Sequence, residues 1–136
     1  MIQAKSINHI GIAVKSIAEQ QSYYEKVLGA AFEGVEVVAD QKVKVGFFRV
    51  GDVRLELLEP TDPTSTIAGF IEKRGEGLHH VAYTVEKIED RIAELKAGGV
   101  RMIDETPRGG AHHTRIAFVH PKSSCGVLTE LCEPKH

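Results

Sequence analysis

Two histidines and two glutamates stand at matched places in this chain, and their side chains are of the kind that hold a divalent metal. His9 opens His9-Ile10-Gly11-Ile12-Ala13-Val14, which returns as His80-Val81-Ala82-Tyr83-Thr84-Val85, with Ile17 and Ile88 three residues beyond. Glu56 lies in Val53-Arg54-Leu55-Glu56-Leu57-Leu58-Glu59-Pro60, and Glu130 in Val127-Leu128-Thr129-Glu130-Leu131-Cys132-Glu133-Pro134, with five of the eight positions identical. His80 follows His9 by 71 residues and Glu130 follows Glu56 by 74, so the chain is a tandem repeat whose small drift is absorbed in loops. Neutral imidazole nitrogens and carboxylate oxygens suit Mn, Fe, Co, Ni or Zn, and four such ligands leave two positions open on an octahedral ion. Open positions imply a Lewis acid, because a structural zinc site is more often closed, tetrahedral and cysteine-bearing. Taken singly, a histidine in an apolar strand is more often a satisfied core residue, and a glutamate beside leucines is a solvated outward face. The paired occurrence selects the metal.

The elements that must position these residues follow from periodicity. Ser6 to Val14 alternates and is rich in β-branched residues, which predicts a strand with His9 at its middle. Ser16-Ile17-Ala18-Glu19 is a capping box. The helix after it places Ile17, Gln21, Tyr24 and Leu28 on one face, and Gly29 ends it. Alternating runs at 31–39 and 43–50, then 53–59, complete a β-α-β-β-β module. Residues 60–77 carry Pro63, Gly69, Gly75 and Gly77 and read as a linker, with a short helical turn around Ile67, Phe70 and Ile71. The order then repeats, with a strand at 78–85, a helix at 87–97 burying Ile88, Ile92 and Leu95, and strands at 100–105, 114–120 and 126–133. Residues two apart on a strand share a face, so His80 and not His79 corresponds to His9, and Glu56 and Glu130 oppose Glu59 and Glu133.

Composition agrees with one compact domain over residues 1–136, made of a module at about 5–60, a linker at about 61–77 and a second module at about 78–134. With 42% hydrophobic residues a core can form, and a formal net charge of −2 without a basic tract argues against a nucleic-acid surface. No run reaches the ~18 apolar residues of a membrane span, and the first residues lack a signal-peptide core. Cys125 and Cys132 lack metal-finger spacing and read as reduced thiols. A soluble, cytoplasmic protein is expected.

These residues resemble the vicinal oxygen chelate superfamily, the glyoxalase, bleomycin resistance and dioxygenase group, and within it the methylmalonyl-CoA epimerases. The matching stretches are Asn8 to Val14, Tyr24-Glu25-Lys26-Val27-Leu28-Gly29, Glu56 to Pro60 followed by Ile67-Ala68-Gly69-Phe70, Gly77-Leu78-His79-His80, and His120-Pro121-Lys122 through Gly126 to Leu131. The resemblance implies an α+β fold in which tandem βαβββ modules form a curved mixed sheet around a metal-binding cleft. It implies His9, His80 and Glu130 as metal ligands, with Glu56 where some members have glutamine. It places cobalt first among the possible divalent metals, with zinc, nickel, manganese or magnesium as others. The implied reaction interconverts the (2R) and (2S) epimers of methylmalonyl-CoA, a step of propionyl-CoA metabolism, by C2 proton abstraction through a metal-chelated enolate.

The resemblance also marks a departure. Some members carry a second catalytic carboxylate on the third strand of the first module, at about Val45 here, and Lys44-Val45-Gly46-Phe47-Phe48 contains no acid. Glu130 is then one base and Glu56 a candidate for the other. His120 and Lys122 are expected at the substrate's rim, and Lys122, Arg108 and Arg115 are candidates for the coenzyme A phosphates. Exposed sheet edges and the resemblance point to a homodimer. The alternative is a glyoxalase I-type isomerase, whose last loop usually reads Asp-Pro-Asp-Gly where this chain has His-Pro-Lys-Ser-Ser-Cys-Gly. An extradiol dioxygenase would leave Glu56 without a role. A metal-free binding protein would have no need of four matched ligands.

Overall fold

The structure, a computed structural model, describes residues 3–134. The chain divides into two compact units, one of His9–His79 and one drawn from the rest of the chain. No helix among the described residues is long and apolar enough to cross a membrane.

The first unit contains β1 (Ser6–Ala13) from His9 onward, α1 (Ile17–Ser22), β2 (Ala31–Val38), β3 (Val43–Val50), β4 (Val53–Pro60) and α2 (Thr66–Arg74). Its strands run in the order β2-β3-β4-β1, antiparallel except where β1 lies parallel to β4. One face of this sheet is apolar: Leu57, Phe48 and Val14 pack with Ile17 of α1, and Ile12, Leu55 and Tyr24 lie against them. The alternation that buries Leu57 turns Glu56 to the other face.

The second unit contains β5 (Gly77–Thr84) from His80 onward, α3 (Ile88–Ala97), β6 (Arg108–Gly109), β7 (Arg115–Val119) and β8 (Thr129–Glu133), in the order β5-β8-β7-β6. Its apolar face repeats the first, with Leu131 for Leu57, Val85 for Val14 and Ile88 for Ile17, and Ile92, Met102, Ala117 and Val119 closing the cluster. The α+β class and the tandem modules expected from the repeat are the ones observed.

The second glutamate of each repeat has a structural task. Glu59 accepts a hydrogen bond from the backbone N–H of Ile17 at 2.8 Å, and Glu133 accepts one from Ile88 at 3.0 Å. Both are first residues of a helix, where the N–H groups lack intrahelical partners and the dipole favours negative charge. Arg115 steadies Glu133 further at 3.1 Å. We expect Glu59→Gln and Glu133→Gln each to lower stability by about 1 kcal/mol, the difference between a charge-assisted and a neutral hydrogen bond. Denaturant unfolding checks this, and a midpoint unmoved in both variants would contradict it.

Several boundaries differ from those expected. Ser16 caps α1 as anticipated, its Oγ accepting from Glu19 at 3.2 Å. The helix then opens into a π-helical turn over Tyr23–Val27. The wider turn rotates the residues after it, so Leu28 is exposed and not inward, although Gly29 ends the segment at φ 70°. The short turn in the linker is a full helix, α2, capped by Ser65 and stopped by Gly75. No strand forms over 100–105. Only Met102 bridges to Val119, because the Asp104 carboxylate takes the Phe118 N–H at 2.9 Å that a continuing strand would have used. The partner strand of β7 is instead the two-residue β6, Arg108 pairing with Ile116 and Gly109 with Arg115. Residues 126–128 likewise stay outside β8, since Cys125 and Gly126 adopt positive φ in a turn closed by the Gly126 N–H on Pro121 O at 2.8 Å.

Candidate active site

His9, Glu56, His80 and Glu130 are four of the six buried polar or charged residues among those described, each 3–6% exposed. Burying an ionised carboxylate is costly unless another group compensates it. Each unit supplies one of the compensating contacts. In the first, His9 Nδ1 lies 3.3 Å from Glu56 Oε2, and in the second His80 Nε2 lies 3.2 Å from Glu130 Oε1.

The two pairs are built the same way. Parallel pairing sets Gly11 beside Glu56 and Ala82 beside Glu130, so each histidine sits two residues before a small residue that neighbours its glutamate. Across the other edge of each glutamate strand stands an aromatic, Phe47 opposite Glu56 and Phe118 opposite Glu130. The Phe118 ring meets His80 edge to face at 5.4 Å, and an arginine lies 5.5 Å above each phenylalanine, Arg54 over Phe47 and Arg108 over Phe118. These phenylalanines escaped the sequence reading. The signal was present, because Gly46-Phe47 recurs as Ala117-Phe118 at the same 71-residue spacing as the histidines.

The donors of each pair are of the kind that a divalent ion takes. Two ligand atoms bound at right angles, each about 2.1 Å from one octahedral ion, stand roughly 3 Å apart. The observed imidazole-to-carboxylate separations of 3.2–3.3 Å lie near that spacing and beyond the 2.7–2.9 Å usual for a charge-assisted hydrogen bond. Nitrogen and carboxylate donors buried beside aromatic rings are also what a metal with a water-poor surround would need. Within the first unit His79 has a different environment, half-buried with its ring edge to face on Phe70 of α2 at 4.9 Å.

Around the other expected residues the picture divides. His120 closes the turn of Pro121–Ser123, its Nδ1 accepting the Lys122 N–H at 3.0 Å. Partial burial pushes the His120 imidazole below its ordinary pKa, and the charges of Arg101 and Lys122 push the same way. A neutral His120 keeps the lone pair that this bond requires. Arg108 is tied to Asp104 at 3.2 Å as well as lying over Phe118. Arg115 is held by Glu89 and Glu133, which favours a structural role over phosphate binding. Cys125 is exposed, Cys132 is buried, and neither is in a disulfide.

Comparison with known proteins agrees with this architecture. Residues 8–118 match the Glyoxalase/Bleomycin resistance protein/Dioxygenase superfamily. The Bacillus subtilis protein YqjC is 48% identical over 129 residues, 95% of this chain and 92% of that protein. An ethylmalonyl-CoA/methylmalonyl-CoA epimerase of Cereibacter sphaeroides is 37% identical over 127 residues, 92% of this chain and 95% of that enzyme. Among solved structures, a methylmalonyl-CoA epimerase in complex with methylmalonyl-CoA and ammonium superposes with a TM-score of 0.93 at 33% identity, covering 97% of this chain and 96% of that one. The chain belongs to the Glyoxalase/Bleomycin resistance protein/Dioxygenase superfamily and, within it, to the family of the methylmalonyl-CoA epimerases.

Proposed function

We propose that this protein epimerises methylmalonyl-CoA at C2, with His9, Glu56, His80 and Glu130 together holding one divalent metal and the two modules acting as one domain. The observation that carries the reading is the duplicated constellation of buried histidine, glutamate and phenylalanine in the same strand register. The epimerase relatives over nearly the whole chain support the substrate. The C2 proton of methylmalonyl-CoA lies between a thioester carbonyl and a carboxylate, so its removal develops negative charge on oxygen. A divalent ion on these four side chains would supply positive charge to the substrate oxygens beside C2.

The chain's own residues do the rest. Glu130 takes or returns the proton on one face of C2, and the opposite face needs a second carrier, for which the sequence offers the ligand carboxylate Glu56 as a candidate. Phe47 and Phe118 limit the water that would otherwise solvate these carboxylates. His120 and Lys122 border the substrate from their turn. The metal is a divalent ion, with cobalt placed first and zinc, nickel, manganese or magnesium as alternatives. We also propose a cytoplasmic homodimer, supported by two cysteines outside any disulfide and by exposed Val35 and Val37 on β2, an edge strand of the first unit's sheet. Light scattering at the mass of one chain would overturn the dimer.

The test of function is incubation of metal-loaded protein with (2R)-methylmalonyl-CoA in deuterated water. Deuterium at C2 and appearance of the (2S) epimer are expected. A protein that carries metal but leaves C2 unexchanged, while isomerising a glutathione hemithioacetal, would establish the glyoxalase reading instead.

A further inference from the structure

The loss of an acid at Val45 leaves a gap that the strand register fills. Val45 is 2% exposed and shares its face of β3 with Phe47, the cross-strand neighbour of Glu56. Its own neighbour on the other side, across the β2–β3 ladder, is Glu36. Directly paired residues of an antiparallel ladder project to the same face. Glu36 therefore stands on the face that carries His9 and Glu56, one strand beyond the place where some relatives carry an acid.

A single extra residue puts it there. Phe32 pairs with Phe48, but Val35 pairs with Gly46, so β2 spends three residues where β3 spends two. Without that bulge, Glu36 would pair with Lys44 and point to the face occupied by α1. One inserted residue exchanges the faces of everything beyond it. Gly34, within the bulge, has φ 104°, a conformation that side chains other than glycine rarely adopt. The burial follows the altered register: Val35 and Val37 are 44% and 59% exposed, while Glu36 between them is half-buried. A strand that turns two valines outward and a glutamate inward reverses the usual hydrophobic preference.

We propose that Glu36 is a catalytic residue, the second proton carrier of the epimerisation, which leaves Glu56 as a metal ligand only. The proposal rests on the epimerase reading above. Glu36 lies two strands from Glu56, a span of about 10 Å between the strand axes, which leaves room for a substrate carbon between the bulged edge and the ligands. In one direction Glu130 breaks the C2–H bond and takes the proton, the electron pair passes into the thioester, and protonated Glu36 forms the new C2–H bond on the opposite face. The carboxyls end with their protonation exchanged, so the reverse direction starts from the state the forward direction leaves. Proton exchange with solvent at half-buried Glu36 resets it.

The experiment compares parent, Glu36→Gln, Glu36→Gln with Val45→Glu, and Glu33→Gln as a control on the same strand, each loaded with metal and given either epimer in deuterated water. Glu36→Gln is expected to keep its metal and melting temperature and lose inversion by ~10²-fold or more, with deuterium exchange retained from one epimer only. Restoring a carboxylate at position 45, on the same face, is expected to recover inversion. Glu33→Gln should match the parent. Inversion within about threefold of the parent in Glu36→Gln would overturn the proposal, as would equal loss of exchange from both epimers. Absence of C2 exchange in the parent itself would instead remove the epimerase reading on which the proposal stands.

Discussion

His9→Ala and His80→Ala each lose the bound divalent metal and at least ~10³-fold of turnover, while His79→Ala keeps both. The expectation follows from strand geometry. His79 and His80 are adjacent on β5, so their side chains leave opposite faces of the strand. The His79 ring is spent on Phe70, whereas His80 faces Glu130 at 3.2 Å and is 6% exposed. Each alanine variant also removes a contact of a buried carboxylate, so both should be less stable, by about 1–3 kcal/mol. Metal content by elemental analysis and a denaturant midpoint, read on the same samples, separate ligand loss from unfolding. Retained metal in His80→Ala together with loss in His79→Ala would mean that the functional face has been assigned backwards.

Glu130→Gln is expected to suppress proton exchange on its face of C2 by ~10²-fold or more while still binding metal in part. An amide oxygen can occupy a ligand position but cannot accept a proton near neutral pH. Glu56→Gln, by contrast, should cost severalfold in turnover with both exchange and inversion reduced together, since the side chain acts through the metal alone. The two substitutions are chemically identical and occupy equivalent places in the repeat, with Phe118 and Phe47 as their cross-strand neighbours. A difference between them therefore reports on the substrate side of the site and not on local packing. Selective loss of inversion in Glu56→Gln, with exchange from one epimer intact, would return the second proton to Glu56 and displace Glu36. Isotope incorporation followed by mass spectrometry, with the epimers separated by a stereospecific mutase, reads all of these outcomes.

The duplicated motif made the larger part of the fold legible, because it states the same periodicity twice. A period-two pattern that buries Leu57 and Leu131 must turn Glu56 and Glu130 the other way, and no tertiary information is needed for that step. The capping box at Ser16 and the stop at Gly29 were legible for the same local reason. Residues 100–105 misled because their alternation is that of a strand, while the hydrogen bond that decides the matter joins Asp104 to Phe118, fourteen residues away. Leu28 misled because a 3.6-residue period assumes a regular helix, and the π-helical turn after Ser22 does not keep it.

By itself the amino-acid sequence determined the tandem βαβββ modules, the choice of His80 over His79, and the separation of Glu56 and Glu130 from Glu59 and Glu133, since each depends only on repeat spacing and side-chain alternation. The tertiary structure alone decided what the second glutamates do, which is to hold the first N–H of a helix that follows a different strand. It alone decided the face of Glu36 as well. Counting along β2 from Phe32 places that carboxylate on the helix side, and only the pairing with β3 reveals the extra residue that turns it over. A bulge is a mismatch between two strands, so it has no expression in either strand's sequence read alone.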